Sequence, residues 1–449
     1  MRVKAALIST ALALAGPPTG QITTECRNLA SPPFQGRWDI SSEPPLPRDF
    51  QFNRAPQDGD FFTSLSGVSA RDVWAVGGDF KFSPGGRAGN GVVYHFDGAR
   101  WCRVDDPELQ NPARFIHLNA VAALAANNVW AVGQDEVATL IQHWDGTHWT
   151  RVRRPNPGDP NTVDGVLNGI SAVAPDDIWA VDYFENRQGY AFPLLVHYDG
   201  RKWSAVKSPD LTGSRHLSLL YRVFARAHDD VWAVGIQEHD TLPGVTLIEH
   251  FDGTAWTVTP SEDPAGPPGV GESFLQGVTA SAANDAWAVG VHQIADRQFH
   301  NLAIAEHWGG ARWRLAPLPD TGTPTSRLLG VAARSASDVW AVGYVSTALG
   351  LSDGRFAPLV EHWTGTKWVI VPAAPANVPG SVQSPKVKSP LYSIGSGLND
   401  VALFPVGKGL TVFAAGQYNI KFLLPNPPNP PEKLAKPRPY TIRTDAPGG

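Results

Sequence analysis

The sequence predicts an all-β fold of repeated four-stranded antiparallel sheets, and three observations carry that prediction. All 16 tryptophans lie in a recurring unit, whose period of roughly fifty residues marks a solenoid or a propeller. The first tryptophan of each unit stands in a VWAV-like run at Trp74, Trp130, Trp179, Trp232, Trp287 and Trp340. A second follows six residues after a histidine, in the pairs His95/Trp101, His143/Trp149, His197/Trp203, His250/Trp256, His307/Trp313 and His362/Trp368. Between histidine and tryptophan lies Asp-Gly four times, Gly309-Gly310 once and Thr364-Gly365 once. Such dipeptides supply the positive φ of a tight hairpin turn.

Within a unit the strands follow in order. Strand a opens on Leu-x-Gly-Val and turns through a polar segment such as Ala125-Ala126-Asn127-Asn128. Strand b is the VWAVG run. A variable loop leads to strand c, of which Leu140-Ile141-Gln142-His143-Trp144 is an example, and strand d begins on the second tryptophan. Alternating apolar and polar positions bounded by turn residues give each segment its strand character. Six units are complete. The chain ends supply the parts of a seventh: Leu398 to Leu403 and Thr411 to Gln417 match strands a and b, with Phe413 in place of tryptophan, and Arg37-Trp38-Asp39-Ile40 reads as an orphan strand d. Placing that strand beside the C-terminal ones removes the open edges of the array. The expectation is a seven-bladed β-propeller over residues 26–424, its ring closed by an N-terminal strand.

Composition agrees with this class: Gly 44 and Pro 40 punctuate many turns, charged residues are only 18% and the net charge is −5. No apolar stretch is long enough to span a membrane, and a mildly acidic balance speaks against nucleic acid as a partner. Residues 1–15, with Arg2, Lys4, the run Ala5 to Ala15 and a small-residue Ala13-x-Ala15 site, read as a signal peptide. A secreted or periplasmic protein is implied. No cysteine near position 16 suggests a lipid anchor. Cys26 and Cys102, the only cysteines, either pair as a disulfide in an exported chain or stay free thiols. Residues 425–449 form a proline-rich C-terminal tail, either a strap along the ring or disordered.

The DVWAVG…HWDGxxW units resemble the tryptophan-rich propeller repeats of secreted bacterial proteins, and more distantly tectonin-like and kelch-like repeats. The resemblance covers roughly residues 37 to 423 and implies the fold. Tectonins have a shorter, regular repeat, so a sugar partner is suggested by style alone. Propellers host lectins, hydrolases, lyases and scaffolds, and the resemblance leaves the activity open.

Candidate residues divide into three groups. The strand-c histidines stand too far apart to share a metal; each is expected to bond the acidic a–b turn residue of its own unit, Asp72, Asp177, Asp230, Asp285 or Asp338, with Asn128 in the second. No metal site and no cofactor motif is read from the sequence. The b–c segments vary, from 13 residues between Trp130 and His143 to 22 between Trp340 and His362, and they share a face of the ring with the d–a connections. There the third to fifth units gather Asp182, Tyr183, Glu185, Asn186, Arg187, Arg215, His216, Glu238, His239, Asp240, His292, Asp296, Arg297 and His300. Glu185, Glu238, His239 and His292 are the acid/base candidates. The residue after the first leucine of strand a (Ser66, Asn119, Asn168, Tyr221, Gln276 and Asn399, with Leu329 the exception) forms a candidate ring of ligand-binding or water-binding groups, joined by Arg297.

Two functions follow. One is an exported, monomeric binding propeller that recognises a carbohydrate or cell-surface partner through its variable face. The other is a glycan-active hydrolase or lyase, which requires Glu185, Glu238 and a histidine to converge, with carboxylates roughly 5 to 9.5 Å apart. A structural ring in a larger assembly is the third possibility.

Overall fold

The structure, a computed structural model, describes most of residues 59–371, 394–406 and 409–422, with the short stretches 21–22, 39–40, 433–434 and 438–446. Segments 265–270, 295–299 and 347–355 and several shorter ones lie outside the described residues. Among the described residues there is no α-helix; a single 3-10 turn covers Pro107–Leu109. The chain folds into repeated four-stranded antiparallel sheets of propeller type, with strands in the order a to d.

The first sheet comprises Gly59–Ser69, Asp72–Ser83, Gly86–Phe96 and Trp101–Asp105, and the second Ile116–Ala125, Asn128–Asp135, Ala138–Trp144 and Trp149–Arg151. The third holds Thr162–Ala174, Asp177–Asn186, Ala191–Tyr198 and Trp203–Val206; the fourth Ser214–Ala227, Asp230–His239, Val245–Phe251 and Trp256–Val258. The fifth is Glu272–Ala282, Asp285–Ile294, His300–Trp308 and Trp313–Leu315; the sixth Thr325–Ser335, Asp338–Ser346, Phe356–Trp363 and Trp368–Ile370. The last sheet takes strands a and b from Ile394–Val406 and Gly409–Phe422. Its strand c is Arg438–Ala446, drawn from the proline-rich C-terminal segment, and Asp39–Ile40 pairs outside it with Asp39 opposite Arg443. Pro439 falls at the second residue of this strand, near the end of an element, where a missing N–H is tolerated. Gln21–Ile22 likewise adds to the outer edge of the first sheet, opposite Val104 and Asp105.

The tryptophans explain why the sheets stack. In each complete unit the strand-b tryptophan lies directly across from the strand-c histidine, with ring centroids from 4.0 Å at Trp232–His250 to 4.4 Å at Trp74–His95; the rings stack except at Trp179–His197, which is tilted by 32°. The same indole meets the strand-d tryptophan of the next sheet edge-on: Trp74–Trp149 at 5.6 Å, Trp179–Trp256 at 5.2 Å and Trp287–Trp368 at 5.1 Å. This is the favoured edge-to-face geometry for aromatic pairs. Between the last and first sheets Phe413 takes the role of the indole against Trp101, at 6.5 Å. Among the described residues apolar side chains form seven buried clusters, six shared by consecutive sheets and one by the last and the first. One of them joins Phe404 and Phe413 of the last sheet to Phe62, Tyr94 and Trp101 of the first.

The histidines do what their spacing predicts. His95, His197, His250, His307 and His362 each place Nε2 2.7 to 2.8 Å from the a–b turn aspartate of their own sheet, and His143 meets Asn128 at 2.9 Å. The pair ties strand c to the a–b turn beneath the stacked indole. One further linkage joins sheets in twos: strand c of the first, third and fifth forms a parallel bridge to the segment opening strand a of the next, at Gly89–Phe115, Ala191–Leu217 and Asn301–Thr325.

Candidate functional site

Strand a lines the axis, and it is not a regular strand. The ladder between strands a and b slips by one residue at Thr63, Asn119, Asn168, Tyr221, Gln276, Leu329 and Asn399. A bulge at these points re-aims the extra residue. The residues that follow the first leucine of strand a in the second to the last sheet are therefore bulge residues. In the first sheet the bulge residue is Thr63 and not Ser66, because Phe62 there takes the place of the leucine that precedes the bulge elsewhere.

The bulge side chains reach from sheet to sheet. Thr63 Oγ1 donates to the Leu118 carbonyl at 2.8 Å, Asn119 Nδ2 to the Leu167 carbonyl at 3.0 Å, and Asn399 Nδ2 to the Phe62 carbonyl at 2.7 Å. Asn119 also bonds the fully buried His117, whose pKa burial pushes down to about 4. The amide groups of Asn119 and Asn399 thus join neighbouring a strands. Gln276 Oε1 is buried and has no hydrogen-bond partner, and Asn168 offers its carbonyl to Arg222 at 2.7 Å.

One residue further on come Ser64, Ala120, Gly169, Arg222, Gly277, Gly330 and Asp400, and all but Gly169 line the axis. The glycines answer to close approach: a Cβ on Gly330 would lie 2.8 Å from the Asp400 Cα of the next sheet. Below this level an axial cavity of about 530 Å³ runs to the a–b turns at Ala125, Asn128 and Pro175.

Above the bulges, toward the b–c loops, a different group assembles. Tyr221 packs its ring 6.0 Å from Phe274, and the Arg327 guanidinium lies over the Phe274 ring at 6.0 Å, held to Asn301 Oδ1 at 3.2 Å. Burial holds the Tyr221 hydroxyl well above its usual pKa, and the carboxylates of Asp182, Glu238 and Glu272 act in the same direction.

The acid/base candidates are dispersed along strand ends. Glu185 lies in strand b of the third sheet, opposite Asp164, and its Oε1 is near the turn at Gly189. Glu238 and His239 end strand b of the fourth sheet; Glu238 acts electrostatically on Tyr221, and only the backbone pairing of His239 with Ser214 is described. His292 lies in strand b of the fifth sheet, where Nδ1 meets the Ser273 hydroxyl at 2.8 Å and burial lowers its pKa. Of these, Glu238 lies within electrostatic reach of Tyr221. Asp182, Tyr183, Glu185 and Asn186, read from the sequence as loop residues, belong to strand b, which runs on past VWAVG. Asp240, Asp296 and Arg297 lie outside the described residues.

Asp182 carries more than the sequence reading gave it. It replaces the glycine of VWAVG in one repeat, and where that glycine is kept a Cβ would strike a strand-a carbonyl, 2.0 Å away at Gly133 and 1.8 Å at Gly235. Its carboxyl is fully buried, neither oxygen has a hydrogen-bond partner, and burial drives its pKa well up against the opposing pull of Arg222. The departure of IWAVD from VWAVG is the signal that marks it.

No known protein family matches the sequence, and no curated protein does. Among solved structures the chain is similar to a PL25 ulvan lyase bound to -[GlcA(1-4)Rha3S]-, at 9% identity over 86% of this chain and 96% of that one, with a TM-score of 0.45. It is also similar to the fucose-specific lectin from Aleuria aurantia, at 14% identity over 71% and 97%, TM-score 0.38. Sqt1 from Chaetomium thermophilum aligns at 11% identity over 88% and 99%, TM-score 0.41. These are β-propeller-like proteins, and nothing about activity follows from them. Among the described residues no helix is long and apolar enough to cross a membrane.

Proposed function

We propose that the protein is an exported, seven-bladed binding propeller that recognises a carbohydrate or cell-surface partner through the face carrying its b–c and d–a connections. The observation that carries the reading is the group formed by Tyr221, Phe274 and Arg327 at the axial end of that face, with Glu238 and Glu272 within electrostatic reach. Half-buried aromatic rings offer apolar faces to a sugar ring, and the guanidinium and carboxylates suit its hydroxyls. The glycan-active enzyme is the weaker reading, because it needs Glu185, Glu238 and a histidine in one pocket. On a glycan array, Tyr221→Ala and Phe274→Ala are each expected to weaken binding about tenfold or more, the scale of losing one aromatic anchor. Unchanged binding by both folded variants would count against this site. Turnover of a bound glycan that disappears in Glu238→Gln would restore the enzyme reading.

The ring proposal has its own support. The aromatic contact of Phe413 with Trp101, the bond from Asn399 to Phe62 and the pairing of Asp39–Ile40 with Arg438–Ala446 all join chain ends. Cys102 is buried in strand d of the first sheet, the strand that Gln21–Ile22 flanks, and we propose that it pairs with Cys26. Deleting residues 1–58 is expected to lower the thermal midpoint by several degrees and to promote aggregation through the exposed edge of Arg438–Ala446. A truncated chain that melts like the full one would sink the closing role of the N-terminal strand.

A further inference from the structure

We propose that the axial cavity on the a–b turn side, opposite the loop face, binds a small hydroxylated monocarboxylate of the sugar-acid class, with the carboxylate held by Arg222. Its volume of about 530 Å³ falls within the range of small-molecule sites.

The argument starts from one position in the repeat. After each bulge the chain carries a small residue at Ser64, Ala120, Gly169, Gly277 and Gly330, and departs from that rule with Arg222 and Asp400. Packing asks for small residues here, so two charged ones need another reason. Arg222 extends across the axis. Its Nη1 donates to the carbonyls of Asn168 at 2.7 Å and Tyr221 at 3.3 Å, and its Nη2 to that of Thr63, in the first sheet, at 3.3 Å. Among the described residues no carboxylate stands within ion-pair distance of this guanidinium. Its hydrogen bonds go to neutral carbonyls alone, with the carboxyls of Asp182 and Asp400 within electrostatic reach but not bonded to it, and two of its five N–H groups remain for an acceptor. An anion completes such a group better than a neutral ligand, because guanidinium and carboxylate form charge-assisted, bidentate bonds.

The rest of the wall limits the ligand to one charge and favours oxygen around it. Asp400 already accepts from the Ser64 hydroxyl at 2.8 Å and from the Leu65 and Val401 amides at 3.1 and 2.9 Å. A second negative charge on the ligand would face this carboxylate. Ser66, Ser171 and Thr279 accept from the amides of Ala123, Ala225 and Ala333 at 3.1, 2.9 and 3.2 Å. A hydroxyl that accepts keeps its own hydrogen to donate. Phe224, at the same level as these hydroxyls, lines the cavity and adds an apolar surface for a ring.

The test is isothermal titration of the full chain with D-galacturonate, D-galactose and acetate. Galacturonate is expected to bind and the other two to bind at least about tenfold more weakly, since each lacks one of the two features. Arg222→Gln is expected to lose about tenfold or more in galacturonate affinity, the scale of one charged hydrogen-bonded contact. Ala332→Phe fills the cavity from a position that carries Phe224 in the fourth sheet, and is expected to abolish binding with the melting temperature preserved. Phe274→Ala, on the other face, should leave galacturonate binding unchanged, so this proposal and the loop-face reading fail separately. No binding of galacturonate to the wild-type chain, galactose binding as tightly, or Ala332→Phe retaining full affinity would each overturn it.

Discussion

Trp232→Ala is expected to lower the free energy of unfolding by about 3 to 5 kcal/mol, the range for deleting a large buried aromatic side chain. The indole is 1% exposed and serves two sheets at once. It stacks on His250 at 4.0 Å within its own sheet and meets Trp308 and Trp313 of the next, both at 5.2 Å. Removing it opens a cavity between sheets, and His250 loses the ring that holds it against Asp230. The indole N–H has no acceptor, so Trp232→Phe sacrifices area and no hydrogen bond, and is expected to cost less than half as much. Trp340 differs: its N–H donates to Asp338 Oδ1 at 2.9 Å. Equilibrium denaturation of both Trp232 variants checks the expectation, and a loss below about 1 kcal/mol for the alanine variant, the centre of ordinary point substitutions, would refute it.

The second large effect depends on pH. Glu249, Glu306 and Glu361 occupy the same place in strand c of the fourth, fifth and sixth sheets, immediately before the histidine, and each is 0% exposed. Burial raises all three from 4.5 to about 8. Their surroundings give little relief: Glu249 receives the Ser208 hydroxyl at 2.9 Å, the charge of Asp263 raises Glu306 further against the hydrogen bonds of Thr246 and the Glu262 backbone, and for Glu361 burial is the sole cause. The folded state therefore keeps a proton that the unfolded chain gives up near 4.5. The stability attached to that proton is fully present below 4.5 and falls as pH rises until the folded pKa near 8 is passed. The second sheet carries Gln142 at this place, also buried. The triple replacement by glutamine is expected to leave stability at pH 4 almost unchanged and to raise it by several kcal/mol at pH 9. Parallel stability curves for the two proteins between those limits would show that the carboxyls do not hold these protons.

Much of the scaffold was legible because it repeats. The fixed spacing of His250 and Trp256, and of their five counterparts, could place strands c and d without any tertiary information, and the partner of each histidine could be named from the acidic turn residue. The last sheet was legible only in part. Leu398 to Gln417 kept the pattern, but its strand c lies in a proline-rich segment whose composition points to a strap or tail, and local propensity there is overridden by the pairing of Arg438–Ala446 with Gly409–Phe422. The axial residues were the least legible. A bulge is a property of the ladder between two strands, so Thr63 could not be told from Ser66 by sequence position, and Arg222 passed unnoticed because a lone arginine in a strand usually faces solvent. The buried acids were missed for the same reason. Glu249 next to His250 looks like a surface pair until the connection carrying Ser208 is laid across it.

The three hydroxyl-to-amide bonds run from the first, third and fifth sheets to the second, fourth and sixth, and so do the three parallel bridges. Both skip every other boundary. A gene growing by tandem duplication could therefore gain or lose residues harmlessly only in blocks of about two units, near one hundred residues, if acceptors and donors are to stay matched. Excising one unit would separate a hydroxyl and a strand c from the partners they meet across the paired boundary. The odd last unit, assembled from both ends of the chain, is the place where such an even-numbered array could stop.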